Sequence, residues 1–167
     1  MKNTKTLFIG GIKSGKSANA EKYILNISEN KPIYIITTEF VDAEMKPRID
    51  AHKERRADNF ITVEEPLKLY DIILDSTAPL LIECVSMWIN NMLYNYFTLQ
   101  DMQDELEKIL SLDRTIVFVL NDVGTGVIPD NKLARIFVDI SGKLSQQIAS
   151  SSDEVYQTIA GISTKIK

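Results

Sequence analysis

Two patterns alternate along the chain. Short runs of apolar, often β-branched residues fall at 6–10, 32–38, 79–84 and 115–120, with a briefer one at 60–63. Such unbroken runs mark strands buried on both faces of a parallel sheet. Residues 154–160 read as a last long strand and 163–167 as a short one. Between the runs, apolar positions return every three or four residues, at 18–25, 42–56, 66–74, 86–97, 101–110 and 130–150, which predicts helices. Pro66 suits the first position of its helix, and Thr98 is a good N-cap, helped by Asp101, Asp104 and Glu105. The longest helix carries Leu133, Ile136, Phe137, Ile140, Leu144 and Ile148 on one stripe.

Strands alternating with helices imply an α/β fold with a mostly parallel sheet covered on both faces. No repeat, linker or low-complexity segment divides the chain, so residues 1–167 are expected to form a single domain. Ligands of such sheets lie off the carboxyl ends of the strands. That singles out residues 14–17, Thr37, Thr38, Glu83, Asn121 and Asp122.

The first of these positions carries the clearest chemistry. Gly10-Gly11-Ile12-Lys13-Ser14-Gly15-Lys16-Ser17 places a Gly-x-x-x-x-Gly-Lys-Ser string between a predicted strand and a predicted helix. Glycines let successive N–H groups turn inward around an anion, and the helix points its positive end at the same spot. Lys16 would reach the β- and γ-phosphates of a nucleotide, and the Ser17 hydroxyl would sit on Mg²⁺.

Composition narrows the setting. The net charge of −4, with charges interspersed and no basic tract, gives no reason to expect nucleic acid as a partner. No apolar run approaches membrane-spanning length, and the run before Gly10 is too short for a secretory signal. The single cysteine, Cys84, cannot form an internal disulfide, and with one histidine a Cys/His zinc site is not expected. A cytoplasmic location follows as the default, and Cys84 and Trp88 are expected in the core.

The only histidine lies in a second cluster. On a helix, Arg48, His52 and Arg56 recur at i, i+4 and i+8, with Arg55 three residues after His52, so that they share a face with Lys53 nearby. Cations around one imidazole disfavour its charged form, leaving His52 neutral and able to attack a phosphate. A solvated surface helix would account for the same charge run without chemistry.

The string at 10–17, the stretch from Asp42-Ala43-Glu44-Met45 through Arg48-Ile49 to His52, Leu81-Ile82-Glu83-Cys84 and residues 121–129 occur in a fixed order. They are followed by Leu133-Ala134-Arg135 with Phe137 and Asp139, and by Lys165-Ile166-Lys167. Together they resemble the bifunctional adenosylcobinamide kinase / adenosylcobinamide-phosphate guanylyltransferase family of cobalamin biosynthesis. The resemblance implies a RecA-like P-loop NTPase fold and a homotrimer. It implies phosphorylation of adenosylcobinamide with ATP or GTP, then attack of a histidine on GTP and transfer of GMP to adenosylcobinamide phosphate.

By motif, that histidine falls on His52. The nucleotide would be contacted by Gly10, Gly11, Ile12, Lys13, Ser14, Gly15, Lys16 and Ser17, by Ile36, Thr37 and Thr38, by Lys53, Glu54, Arg55 and Arg56, and by Glu64 and Glu83. A carboxylate accepting from guanine N1–H and the 2-amino group would reject adenine. Glu83 would serve equally as a carboxylate beside Mg²⁺, and both readings stand at this point. Ala51, Ala57 and Ser145 depart from residues frequent in the family. A P-loop kinase or NTPase without guanylyltransferase activity, and a nucleotide-regulated binding protein, are the competing readings.

Overall fold

A computed structural model describes residues 3–38 and 58–167. The expected helix at 42–56, with Arg48, His52, Lys53, Glu54, Arg55 and Arg56, lies outside the described residues. Within them the order is β1 (Lys5–Gly10), α1 (Lys16–Ile27), β2 (Ile33–Ile36), β3 (Ile61–Glu64), α2 (Leu69–Asp75), β4 (Leu80–Glu83), α3 (Val85–Tyr94), α4 (Leu99–Ser111), β5 (Ile116–Asn121), α5 (Lys132–Ser151), β6 (Glu154–Ile159) and β7 (Ile162–Lys165).

The strands form one sheet in the order β3-β2-β4-β5-β1-β6-β7. Every pairing is parallel except β6 with β7, a hairpin. Alternation along each strand sorts its side chains into two cores. Leu7, Ile35, Leu80, Ile82, Ile116, Phe118, Leu120 and Val155 meet α2 to α5 on one face. Phe8, Tyr34, Ile36, Leu81, Val117 and Val119 meet Ala20 and Ile24 of α1 on the other. Near-continuous apolar runs are what such two-sided burial requires.

Local chemistry sets the helix ends. Thr98 caps α4 in a reciprocal box: its Oγ1 accepts from Asp101 N, and its own N–H donates to Asp101 Oδ2 at 2.7 Å. The cap bonds hold the Asp101 carboxyl below its usual range. Helix α2 begins at Leu69, three residues later than the proline suggests. The Glu65 carboxylate accepts from Leu67 N and Lys68 N, turning the chain after Pro66, and Glu105 from α4 accepts from Tyr70 N. Trp88 is fully buried, with its indole N–H on Leu67 O. The stripe of α5 is buried only from Ile140 onward, and Leu133 and Ile136 are exposed. Among the described residues no helix is long and apolar enough to cross a membrane.

Candidate active site

Strand β1 ends at Gly10 between β5 and β6, and the chain turns through residues 11–15 into α1. Ser14 N–H donates to Gly11 O, and Lys13 takes a left-handed φ of 57°. Gly15, at φ 94°, is the N-cap of α1 and supplies no side-chain acceptor, and the first turn carries no acidic residue. The helix therefore presents its opening amides and the positive end of its dipole to the loop without an internal anion. Lys16 is 6% exposed, and its Nζ lies over the loop, donating to Gly11 O at 3.1 Å.

The strand order brings Glu83 to this loop. It ends β4, two strands from β1, and its Oε1 accepts from Ser17 Oγ at 2.8 Å. Thr37, at the end of β2, is fully buried; its N–H and hydroxyl donate to the backbone carbonyls of Glu83 and Cys84, and its Oγ1 accepts from Cys84 N. Asn91 of α3 donates to Thr37 O at 2.6 Å and to Pro66 O at 3.1 Å, tying the ends of β2 and β3 to the helix. Thr37 thus holds the backbone around Glu83 in place.

Ile36 pairs with Glu64 on one side and Glu83 on the other, so both carboxylates leave the sheet at one level. Two strand spacings, about 10 Å, separate their backbones, and Glu64 stands about 19 Å across the sheet from β1. Ile36 is buried and Thr38 half-buried at the same carboxyl edge. The structure therefore gathers residues 10–17 and Glu83 in one cluster and sets Glu64 along the edge from it.

Cys84 is half-buried rather than a core residue, with Asn121 Nδ2 at 3.8 Å from its sulfur. Burial first, then the charge of Glu83, pushes its thiol pKa up. A raised pKa disfavours the thiolate, which is the nucleophilic form. Beyond β5, Asp122 N–H donates to Gly10 O, and Arg135 holds Pro129 O and Asp130 O.

Sequence reading gave both strands, 154–160 and 163–167, but not that they pair as a hairpin whose turn backs the loop. Gly161 N–H donates to Ser14 O at 2.7 Å, and Asn19 of α1 donates to Gly161 O and to Ser163 Oγ. The available signal was two strand-like runs separated by a short turn containing Gly161.

Ser17 and Glu83 offer hard oxygen donors of the kind Mg²⁺ takes, and such ions are commonly held by one or two protein oxygens together with substrate phosphates. Among the described residues no group of three His, Cys, Asp or Glu side chains stands together to hold a metal alone. Loop, lysine, hydroxyl and strand-end carboxylate define a P-loop nucleotide-binding protein. Its fold agrees with FlaH, a flagellar accessory protein from Methanocaldococcus jannaschii (TM-score 0.50, 11% identity, 97% of this chain and 75% of that one). It agrees equally with a second solved structure, an isolated ATPase domain (TM-score 0.50, 13% identity, 93% and 69%).

Sequence comparison goes further. Residues 6–166 match the family model described as cobinamide kinase / cobinamide phosphate guanyltransferase, and the chain belongs to that family. It is 34% identical over 180 residues to the bifunctional adenosylcobalamin biosynthesis protein CobU of Escherichia coli strain K12, covering 96% of this chain and 98% of the relative. It is 35% identical over 170 residues to the bifunctional adenosylcobalamin biosynthesis protein CobP of Pseudomonas aeruginosa, covering 98% and 97%.

Proposed function

We propose that this chain phosphorylates the aminopropanol hydroxyl of adenosylcobinamide from ATP or GTP, then transfers GMP from GTP to the product through a phosphoramidate on His52. The observation that carries the reading is the ordered phosphate loop with Ser17 bonded to Glu83, in a chain that matches the family from residue 6 to 166.

In the kinase step the substrate oxygen bonds to the γ-phosphorus, the bond to the β,γ-bridging oxygen breaks, and the hydroxyl proton is released. The loop amides and Lys16 hold the phosphates and meet the charge that grows on them. Mg²⁺, when bound, neutralises phosphate charge, and Ser17 would hold it, with Glu83 accepting from that hydroxyl. The Ser17–Glu83 bond favours this reading of Glu83 over a guanine contact, and leaves Glu64 as the carboxylate for the base.

In the second step a ring nitrogen of His52 bonds to the α-phosphorus of GTP and pyrophosphate leaves. A phosphate oxygen of the cobinamide phosphate then displaces the imidazole and takes the GMP. Arg48, Lys53, Arg55 and Arg56 would meet the charge on the leaving pyrophosphate. Family resemblance supports a homotrimer, and Ile159, Ile162 and Ile166, all exposed, supply apolar surface that a neighbouring subunit would cover. A lone cysteine suits the cytoplasm.

GTP labelled at the α-phosphate tests the transferase half. Acid-labile, alkali-stable label is expected on the protein and is lost in His52→Asn; active protein that takes no label refutes it. With γ-labelled ATP, Lys16→Ala is expected to abolish transfer to cobinamide, and retained transfer refutes the loop assignment.

A further inference from the structure

We infer that the β6–β7 turn is an orienting device for the phosphate loop, and that Asn19 is the positioning residue that locks it there. The inference rests on reading residues 10–17 as the phosphate loop.

The peptide joining Ser14 to Gly15 is the point of action. In a planar trans peptide the carbonyl and the following N–H point in opposite directions. Gly161 N–H holds Ser14 O at 2.7 Å on the hairpin side, so the Gly15 N–H is aimed away from the hairpin, into the hollow of the loop. Among the described residues Gly15 N–H makes no main-chain hydrogen bond, which leaves it for an anion. Gly15 and Gly161 have φ of 94° and 83°, and a Cβ built on Gly15 would lie 3.0 Å from Gly161 Cα. The two backbones are in contact.

Within one subunit, what keeps the turn in place is polar. Strand β7 is four residues long, lies at the sheet edge and is mostly exposed, so it brings little apolar burial of its own. Asn19 Nδ2 uses both its hydrogens, on Gly161 O at 3.0 Å and Ser163 Oγ at 2.8 Å. Ser163 Oγ in turn shares a 2.8 Å bond with the buried Thr158 hydroxyl. Asn19 sits on the first turns of α1, so one side chain couples the helix that starts at the phosphates to the turn that aims their amide. Asn19 touches no nucleotide in this scheme; it acts through Gly161.

The test is made on the full chain by calorimetry, with Mg·ATP and inorganic tripolyphosphate as probes, alongside thermal unfolding without ligand. Asn19→Leu, which keeps the size and removes both donors, is expected to weaken ATP and tripolyphosphate alike by about tenfold, raising KM for ATP more than it lowers kcat. Ser163→Ala removes one of the two acceptors and is expected to weaken both probes by about two- to threefold; it carries the test should Asn19→Leu fail to fold. Weakened ATP with unchanged tripolyphosphate would assign the hairpin to the base and overturn the inference. Unchanged affinities with a lowered Tm would make Asn19 merely structural and overturn it too. Lys16→Ala separates the premise: if it binds both probes as tightly as the unaltered chain, the phosphate-loop reading itself has failed.

Discussion

Replacing Gly10 with alanine probes the closest backbone approach at the site. A Cβ there would lie 2.4 Å from Thr158 O and 2.7 Å from Ser14 Oγ, where real Cβ atoms keep at least 3.0 Å. The serine hydroxyl can rotate away. Thr158 O cannot, because Gly10 and Thr158 are paired in the parallel β1–β6 ladder. Relief requires β6 to retreat from β1 by about 0.6–1 Å, a strain of the kind overpacked cores show, costing about 1–3 kcal/mol. For a chain of this size that is a fall in Tm of roughly 3–10 °C. Because the turn at Gly161 follows Thr158 by three residues, the retreat also draws Gly161 from Ser14, so weaker ATP binding is expected alongside. Thermal and urea unfolding of the ligand-free chain measure the first effect, with Gly11→Ala as control, since nothing lies within 4 Å of a Cβ at that position. Gly10→Ala as stable as the unaltered chain, or Gly11→Ala equally destabilised, would refute the reasoning.

Two further outcomes can be checked by unfolding alone. Thr98→Ala removes the hydroxyl of the α4 capping box and is expected to cost about 1 kcal/mol, read as a shift in urea midpoint. Glu154 accepts from Lys165 Nζ, Tyr23 OH and Tyr156 OH, and the Lys165 bond leads in holding its carboxyl below the usual range. A lowered folded pKa stabilises the fold above the ordinary carboxylate pKa, and that stability is lost as pH falls through the folded value. Glu154→Gln should therefore flatten the fall in stability between about pH 5 and pH 3, and an unchanged slope would count against the assignment.

The phosphate loop, the strands and the Thr98 cap were legible because each is local: glycines at fixed spacing, unbroken apolar runs, a hydroxyl three residues before an acid. What was not legible depends on strand order. Ser17 and Glu83 are far apart in sequence, and nothing in either segment says that β4 lies two strands from β1, so their hydrogen bond was not legible. Gly161 behind Ser14 is the same kind of fact. The start of α2 was misplaced because Pro66 fits a first helical turn, while the Glu65 carboxylate, with its two backbone amides, fits a turn better. Leu133 and Ile136 follow the helical stripe correctly, but a stripe does not say where its covering surface ends. His52 and its cations rest on motif and family.

The position of β1 has a consequence for how the chain matures. Both of its sheet neighbours, β5 and β6, come from the far half of the sequence, with Thr6 paired to Val117 on one side and Glu154 on the other. The strand that leads into the phosphate loop is thus an interior strand whose pairing waits first on β5 and is completed only by β6, both far along the chain from it. Contacts of such long separation form late and slowly. Nucleotide binding at the loop therefore reports the assembled sheet rather than the folding of the segment that bears the motif.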